Sequence, residues 1–311
     1  MADAMLTEQA AAGAARVKIR RVDVSAPDWR NALFVAPYLL FFVTLLAFPL
    51  VWGIWLSLHK ADAFGTGRFV GIGNYIRLFN DRIFLQAIWN TFTFVLMTVP
   101  PLAIIGLALA LALNRPGKTA ASLRALFFAS SVLSVTIVTL IWRIVFIPNF
   151  GLLTTIYGWF DATAPAFLSD PDLALIAIAI ATIWWCIGLP MMLFLSALQQ
   201  IPPDIYEAAA LDNASRWRTL RHITLPSIKR TFVLVIVIQI VLQFQLFGQA
   251  RLMTNGGPNN ASMPLVFYIY EAAFRKWDLG LGAAASEVLF VLILIAAMAQ
   301  FLVSRRKGED A

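Results

Sequence analysis

Long apolar runs recur along this chain, and they restrict it to a helical fold embedded in a lipid bilayer. A membrane-crossing helix needs roughly 20 apolar residues, and each backbone polar group in lipid must find its partner within the protein. With 60% hydrophobic and only 13% charged residues, the chain lies outside the range of ordinary soluble domains. The runs are Asn31 to Ser57, Gln86 to Leu113, Leu123 to Ile147, Leu173 to Leu198, Thr231 to Phe247 and Ala283 to Val303. They predict an all-α membrane protein with six transmembrane helices.

The runs also define the domain organisation. The first thirty residues lack the apolar core of a secretion signal, so residues 1–30 are predicted to be an N-terminal tail. Residues 31–303 form the six-span transmembrane domain, and residues 304–311 form a C-terminal tail. A polar loop at 200–228 separates the fourth run from the fifth.

Lys and Arg residues are distributed unequally between the two alternating sets of connecting segments. The set that contains both tails and the loop 200–228 carries more than twice as many as the other set. Positive charges collect on the cytoplasmic side of membrane proteins, so both termini and this loop are predicted to be cytoplasmic. The asymmetry also accounts for the net charge of +7, which predicts contact with anionic membrane lipid and gives no indication of nucleic-acid binding.

The loop itself predicts a helix-turn-helix element between Pro202 and Pro226. Its sequence is PPDIYEAAALDNASRWRTLRHITLP, in which Pro203 suits a first helical turn because its missing N–H needs no partner there. Asn213 tolerates the left-handed conformation that ends a helix, and Ser215 can cap a second helix, which Pro226 is expected to close. Such a shape suits a groove of another protein, whereas a plain solvated loop is the alternative for this composition alone.

The loop and several other motifs together resemble one transporter family. The motifs are FVGIGNYIRLFND from residue 69, Asn90–Thr91, IWRIVFIPNFGLL from residue 141, MTNGGPNNAS from residue 253 and GLGAAAS from residue 280. Over about Ala36 to Val303 the chain resembles the permease subunits of binding-protein-dependent ABC importers, in the carbohydrate-uptake branch and in the subunit type that carries the GGP loop. Where that family most often has Gly, this chain has Asn213. The residues that match the family's EAA coupling motif are Glu207, Ala208, Ala209, Asp212, Asn213, Ala214, Leu225 and Pro226.

The resemblance implies a fold, a mechanism and a set of partners. It implies the type I ABC importer permease fold in a bacterial or archaeal plasma membrane. The partners would be two copies of an ATP-binding subunit, a second homologous permease and an extracytoplasmic solute-binding protein. The chain contains no phosphate-binding GxxxxGK[ST] motif, so ATP and Mg would be used by the partner ATPase and no cofactor would be bound here. The protein would therefore be a transporter and not an enzyme, with no catalytic residues and no metal site.

Candidate substrate-binding residues lie in the fourth and fifth runs. Sugars are bound by amide hydrogen bonds and by aromatic faces, which favours Gln239, Gln243, Trp184 and Trp185. The two glutamines lie one turn apart on one face, and the resemblance ranks Gln243 first. Hydrogen bonds between helices for the glutamines, and a membrane-interface position for the tryptophans, are the alternatives.

Two charges in or near the spans leave a second class of function open. Arg143 and Glu287 occur toward the external ends of the third and sixth runs, where a pair of charges can serve a proton relay. An ion-coupled secondary transporter is therefore the alternative function, and mutual pairing or anchoring is the simpler explanation of the charges. Within the resembled family, a permease for a non-sugar solute is the further alternative.

Overall fold

The computed structural model describes residues 29–62 and 64–309, which are mainly helical. Three helices are long and apolar enough to cross a membrane alone, and three bent helix pairs can each supply one more crossing. Length and composition therefore allow six spans, in agreement with the predicted fold class. The single spans are Phe34–Ser57, Arg82–Leu113 and Leu279–Leu302, and the bent pairs are Lys118–Ser130 with Val135–Phe146, Ala174–Cys186 with Gly188–Gln199, and Arg216–Ser227 with Lys229–Gln243.

The first span is a helix with a wide turn in its middle. Helix α1 (Trp29–Phe42) continues through a π-helical segment, Val43–Ala47, into α2 (Phe48–Ser57). The wide turn lies directly before Pro49, whose ring and missing N–H are incompatible with regular i→i−4 bonding. The span ends at the predicted residue, whereas the predicted N-terminal tail lies outside the described residues except for its last two.

A small β-hairpin, which the sequence did not predict, follows the first span. Strands β1 (His59–Asp62) and β2 (Gly65–Phe69) pair antiparallel, and α3 (Gly73–Asn80) follows. The buried side chain of Asn74 donates from Nδ2 to the carbonyl oxygens of Ser57 and His59 at 2.8 and 2.9 Å. This side chain therefore holds the end of the first span against the hairpin and α3.

The hairpin is also fixed to the beginning of the last span. Arg77 forms a 2.8 Å ion pair with Asp278, and Asp62 forms a β-bridge with the same residue. The last span, α16 (Leu279–Glu309), starts four residues before the predicted position. Its helix continues through the first six residues of the segment predicted to be the C-terminal tail.

The second span is the centre of the described core. Helix α4 (Arg82–Leu113) is capped by Asp81, whose carboxylate accepts from the backbone N–H of Ile83 at 2.8 Å. The cap explains why the helix begins four residues before the predicted apolar run. The core side chains packed along it or against its neighbours include Phe84, Phe94, Leu102, Ile178, Phe194 and Phe267, all fully buried.

The third span is not the continuous helix that the sequence predicted. Helix α5 (Lys118–Ser130) and helix α6 (Val135–Phe146) meet at an angle of 96°. Serine side chains compete with backbone groups for hydrogen bonds, and three serines lie at this break. Ser134 caps α6 by accepting from Ile137 N–H at 3.4 Å, and Ser131 donates to the carbonyl oxygen of Trp185 at 3.1 Å.

The fourth span breaks at the same level and packs against the third. Helices α8 (Ala174–Cys186) and α9 (Gly188–Gln199) are inclined at 42° to one another. A Cβ atom on Gly188 would lie 2.6 Å from the carbonyl oxygen of Phe127 and 2.6 Å from Ser131 Oγ. Glycine at this position therefore allows the two broken spans to approach closely.

The remaining elements complete the chain. The fifth span ends at Gln243 and not at the predicted Phe247. The elements are α7 (Leu152–Gly158), α10 (Pro203–Leu211), α11 (Arg216–Thr219), π-helical Leu220–Thr224, α12 (Leu225–Ser227), α13 (Lys229–Gln243), α14 (Gly248–Met253), α15 (Leu265–Tyr270) and π-helical Glu271–Arg275.

Replacing Asn74 by Ala should destabilise the protein, because it leaves two carbonyl groups at the end of the first span without their donor. Each buried group left without a partner costs about 1–3 kcal/mol, so we expect about 2–3 kcal/mol in total. Thermal unfolding of the purified protein in detergent measures the effect. Asn80→Ala is the matched control, because that amide donates to the Ile76 carbonyl on an exposed surface. Equal losses of stability in both variants would contradict the prediction.

Candidate functional site

The first helix of the loop 200–228 has the predicted structure. Helix α10 begins at Pro203, and Pro202 before it has the extended conformation of an N-cap residue. Asp204 lies in the first turn, where a negative charge favours the positive end of the helix dipole. The prolines and the acidic residue therefore fix the start of the helix.

The end of α10 also follows the prediction. Asn213 has a φ of 53°, in the left-handed region. The Ala214 N–H donates to the Ala209 carbonyl at 2.9 Å and the Asn213 N–H donates to the Ala210 carbonyl at 3.1 Å. These two bonds form a Schellman motif, with asparagine where glycine is commonest.

The prediction that Pro226 closes the second helix is wrong. Ser215 caps α11 as predicted, its Oγ accepting from Arg218 N–H at 3.3 Å, but the helix continues through π-helical Leu220–Thr224 into α12. The wide turn precedes Pro226 and accommodates its ring, as in the first span. The helix ends at Ser227, where the chain bends by 65° into α13.

The loop presents most of its motif residues on its surface. Glu207, Ala208, Asp212, Asn213, Leu225 and Pro226 are exposed, Ala214 is half-buried and Ala209 is buried. Two large apolar side chains stand beside them, with Leu211 85% and Trp217 68% exposed. Exposed apolar groups on a polar loop are typical of a surface that another protein covers.

The exposed helix is firmly connected to the rest of the loop. The hydroxyl groups of Tyr206 and Thr224 lie 3.2 Å apart, and Thr224 also donates to the Thr219 carbonyl. Between α10 and the second helix lies an open cleft of about 510 Å³, lined by Asp212, Arg218 and His222 among others. Helix α10 is therefore joined through Thr224 to the helix that leads into the fifth span.

The predicted glutamine pair meets inside the protein. Gln239 and Gln243 are 1% and 4% exposed, and Gln243 Nε2 donates to Gln239 Oε1 at 3.1 Å. The side chain of Gln243 also interacts with Cys186 of the fourth span. The Nε2 atom of Gln239 is buried without a hydrogen-bond acceptor among the described residues.

Two further glutamines, Gln245 and Gln249, follow the pair in sequence but do not join it. Helix α13 ends before them, so helical spacing no longer applies. Gln245 is exposed and donates to the Val241 carbonyl, whereas Gln249 is buried and reaches Thr182 Oγ1 at 3.4 Å.

The two candidate tryptophans have different surroundings. The indole N–H of Trp185 donates to the Leu133 carbonyl at 3.0 Å, so this side chain supports the break in the third span. Trp184 is 42% exposed and meets Trp142 edge-on, with ring centroids 6.0 Å apart. Of the two, only Trp184 has a substantially accessible face.

Mutual pairing was one of the simpler explanations of the charges on Arg143 and Glu287, and it does not apply. No ion pair joins them in the part of the chain that the structure describes. A Cβ atom on Gly53 would lie 3.2 Å from Glu287 Oε1, so the carboxylate packs against the first span, while Arg143 is exposed. No group of three metal-ligating side chains occurs among the described residues.

A polar contact that the sequence did not predict holds the GGP loop. Asn90 Nδ2 donates to the carbonyl oxygens of Asn260 and Met263 at 2.8 and 2.9 Å, and Thr91 Oγ1 accepts from Leu265 N–H at 2.8 Å. Asn90 and Thr91 are buried at the beginning of an apolar run, and that placement is the sequence signal for such a contact.

A second such contact fixes the helix that follows the GGP loop. The Tyr268 hydroxyl donates to Asp81 Oδ2 at 2.7 Å. Burial, and then the hydrogen bond and charge of Asp81, raise the pKa of Tyr268. The hydroxyl therefore remains a proton donor at neutral pH, and α15 stays joined to the beginning of the second span.

Replacing Asn213 by Val should loosen the end of α10, whereas Asn213→Gly should not. A β-branched residue at positive φ costs about 1–2 kcal/mol, and glycine has no such cost. Hydrogen exchange of the Asp212, Asn213 and Ala214 amides, which form the end of the helix, measures the difference. We expect roughly tenfold faster exchange in the Val variant, and equal protection in both variants would contradict the role of the left-handed conformation.

Comparisons with known proteins agree with this arrangement. The chain is 30% identical to the probable ABC transporter permease protein YurN of Bacillus subtilis, over 89% of this chain and 97% of the relative. It is also 30% identical to the trehalose/maltose transport system permease protein MalF of Thermococcus litoralis, over 89% and 94% of the two chains.

A solved structure has the same fold. The alginate ABC transporter of a bacterium contains a chain that matches 90% of this chain and 96% of its own length, with a TM-score of 0.78 and 23% identity. The model of one family, described as the binding-protein-dependent transport system inner membrane component, matches residues 63–309. The chain therefore belongs to the family of inner-membrane permease components of binding-protein-dependent transport systems.

Proposed function

We propose that this chain is a permease subunit that moves a sugar or related solute, such as an oligosaccharide, polyol or sugar phosphate, into the cytoplasm. An extracytoplasmic binding protein would deliver the solute, and a separate ATPase would supply the energy. The observation that carries the proposal is the loop 200–228, a rigidly capped and exposed helix in a chain of this transport family.

The loop is the proposed contact with the ATPase. Glu207 is exposed on α10 and can accept hydrogen bonds from an arginine or from backbone N–H groups. Leu211 and Trp217 add apolar surface for the same partner. Two ATPase copies would bind one such loop each, on this chain and on a second homologous permease. ATP and Mg belong to the ATPase in this scheme, and this chain binds no cofactor.

The proposed orientation puts the loop and both termini in the cytoplasm of a bacterial or archaeal cell. The excess of Lys and Arg in the loop and in the two terminal segments supports it. The hairpin and the GGP loop then face the outside, where the binding protein docks. The exposed faces of the membrane-spanning helices contact membrane lipid and the second permease.

Transport follows from movement of the loop relative to the spans. When the two ATPases close, α10 is displaced, and its contacts to Thr224 and the 65° bend carry the displacement into α13. Rotation of α13 would open the buried Gln239–Gln243 pair alternately to each side of the membrane, which is an alternating-access mechanism.

The sugar class is supported by the relatives and by the amide cluster. Similar proteins are named for the transport of trehalose/maltose, lactose, sulfoquinovosyl glycerol and sn-glycerol-3-phosphate. A sugar hydroxyl group could accept from the Gln239 Nε2 donor while Gln243 holds a second hydroxyl. Trp184 offers a partly exposed ring in the fourth span, whereas the indole N–H of Trp185 is engaged with the backbone.

An ion-coupled carrier is disfavoured. The charges that would serve ion coupling, Arg143 and Glu287, lie apart, and the family is defined by dependence on a binding protein. The chain reconstituted alone should therefore not respond to an imposed ion gradient.

Replacing Glu207 by Lys should impair both assembly with the ATPase and ATP-driven uptake. Loss of a charge-assisted hydrogen bond costs about 1.5–3 kcal/mol, which weakens ATPase binding by about tenfold or more. Co-purification of the subunits and uptake into proteoliposomes measure the two effects. Asp204→Lys is the matched control, since it makes the same change of charge one turn nearer the helix N-terminus. If the carboxylates serve only the helix dipole, Asp204→Lys should be the more harmful of the two.

Replacing Gln243 by Leu should slow uptake of the transported solute while leaving assembly intact. The change removes a donor and an acceptor from the proposed solute site, and we expect a fall of about tenfold in the uptake rate. Gln245→Leu is the control, because that side chain is exposed and donates to the Val241 carbonyl of the helix that precedes it. Normal uptake by the Gln243 variant would remove this residue from the site.

A further inference from the structure

An open cleft of about 530 Å³ lies where the third span ends, whereas the loop 200–228 follows the end of the fourth span. Its walls come from α6, from the connection between the third and fourth spans at Leu168 and Ser169, and from Met253 and Thr254 before the GGP loop. Cavities of about 300–1,000 Å³ are the size that holds small molecules. The cleft is separate from the buried glutamine pair, which it does not include.

Arg143 is the one charged residue among those that line the cleft. Its guanidinium forms no hydrogen bond or ion pair in the part of the chain that the structure describes. Asp170, the acidic residue next to Ser169 of the cleft wall, accepts from the Asp172 N–H at 2.8 Å and so caps its own turn. The remaining walls are mainly apolar side chains, including Leu140, Ile144 and Pro148.

The hydroxyl groups of the cleft differ in availability. Thr254 Oγ1 donates to the Ala250 carbonyl and lies 2.7 Å from Ser262 Oγ, so it is part of the GGP loop's own structure. Ser169 is exposed, and its backbone N–H is the group engaged, with the Ala166 carbonyl. A five-donor guanidinium and one hydroxyl group therefore face an otherwise apolar space.

We infer that this cleft binds the anionic group of a solute, a carboxylate, phosphate or sulfate carried on a sugar or polyol, with Arg143 as its counter-charge. The planar guanidinium matches the oxygen atoms of such groups in pairs, and the apolar walls can pack against the carbon atoms of the solute. Arg143 lies in the last turn of α6, where a positive charge interacts favourably with the helix dipole. That interaction requires neither the cleft nor an unpaired guanidinium.

The inference rests on the proposed function and narrows its substrate class. Under the proposed orientation the cleft opens on the outer side, where solute arrives from the binding protein. A neutral sugar would gain only hydrogen bonds to its hydroxyl groups from Arg143, whereas the charge of Arg143 would also attract an acidic or phosphorylated sugar before it reaches the glutamine pair. Arg143 would thus act in selection at the entrance.

Cysteine labelling in the assembled transporter tests the inference, because the chain has one native cysteine, Cys186. In a Cys186→Ala background, Ser169→Cys introduces a thiol in the cleft, and Ala162→Cys introduces a control thiol in the same connection. The probe is 2-sulfonatoethyl methanethiosulfonate, an anion, compared with its cationic trimethylammonioethyl counterpart. The complex is held in nanodiscs of phosphatidylcholine, with galacturonate or galactose as competitor at equal ionic strength.

For each position we compare the labelling rate of the anionic probe with that of the cationic probe. We expect this ratio to be about threefold or more higher for Ser169→Cys than for the control Ala162→Cys. Galacturonate should slow this labelling more than galactose does. Arg143→Gln should abolish both effects, and Arg143→Lys should retain them.

Three results would overturn the inference. One is equal protection by the charged and the neutral sugar. Another is protection that survives in Arg143→Gln. The third is slow labelling of Ser169→Cys without any added sugar, caused either by phosphatidylglycerol in the nanodiscs or by the second permease. Lipid or that partner would then occupy the cleft. None of these results touches the proposed function, which fails instead if the wild-type assembly shows no uptake that depends on ATP and the binding protein.

Discussion

The structure depends on satisfying backbone groups where its membrane helices break. At the break in the third span, the Trp185 indole donates to the Leu133 carbonyl, and Ser131 donates to the Trp185 carbonyl in return. Gly188 lets the two broken spans come close enough for this exchange, because any side chain there would collide with the Phe127 carbonyl. In lipid no water can supply the missing partners, so neither span can keep its break without the other. The breaks in the third and fourth spans therefore stabilise each other.

In the proposed mechanism, the loop 200–228 would act on groups inside the membrane through a short helix with fixed ends. Helix α10 is short, but its two ends are fixed, by prolines at the start and by the left-handed Asn213 at the end. Its connection to α13 runs through a π-helical turn and a 65° bend, so α13 can be tilted without unfolding. Gln239 and Gln243 bond to each other, and Gln243 also reaches Cys186 of the fourth span, so these are the polar contacts of the pair that a tilt would change.

Sequence reasoning succeeded where one residue type has one physical consequence. The apolar runs predicted the spans, and the cap propensities of Asn213 and Ser215 predicted the turn of the loop. It was wrong where the preference of a single residue was outweighed by the surrounding helix geometry or by contacts with other helices. Pro226 was expected to end a helix, but a wide preceding turn accommodates it, and the serines at 130–134 broke a run that hydropathy alone reads as continuous. The hairpin and the Asn90 contacts depend on partners far away in sequence, which composition and periodicity cannot identify.

In the proposed transporter, two kinds of polar group would recognise the solute, and they differ in their position. Arg143 carries a full charge and lies exposed in a cleft, where water compensates its charge until a ligand arrives. The glutamines are neutral and buried, where a charge would cost far more than an amide. A permanent charge at the depth of Gln239 would bind an anionic solute too firmly to release it, whereas amides can exchange partners at small cost. The energetics of burial therefore favour a charged group that selects the solute at the surface and neutral amide groups that bind it inside the protein.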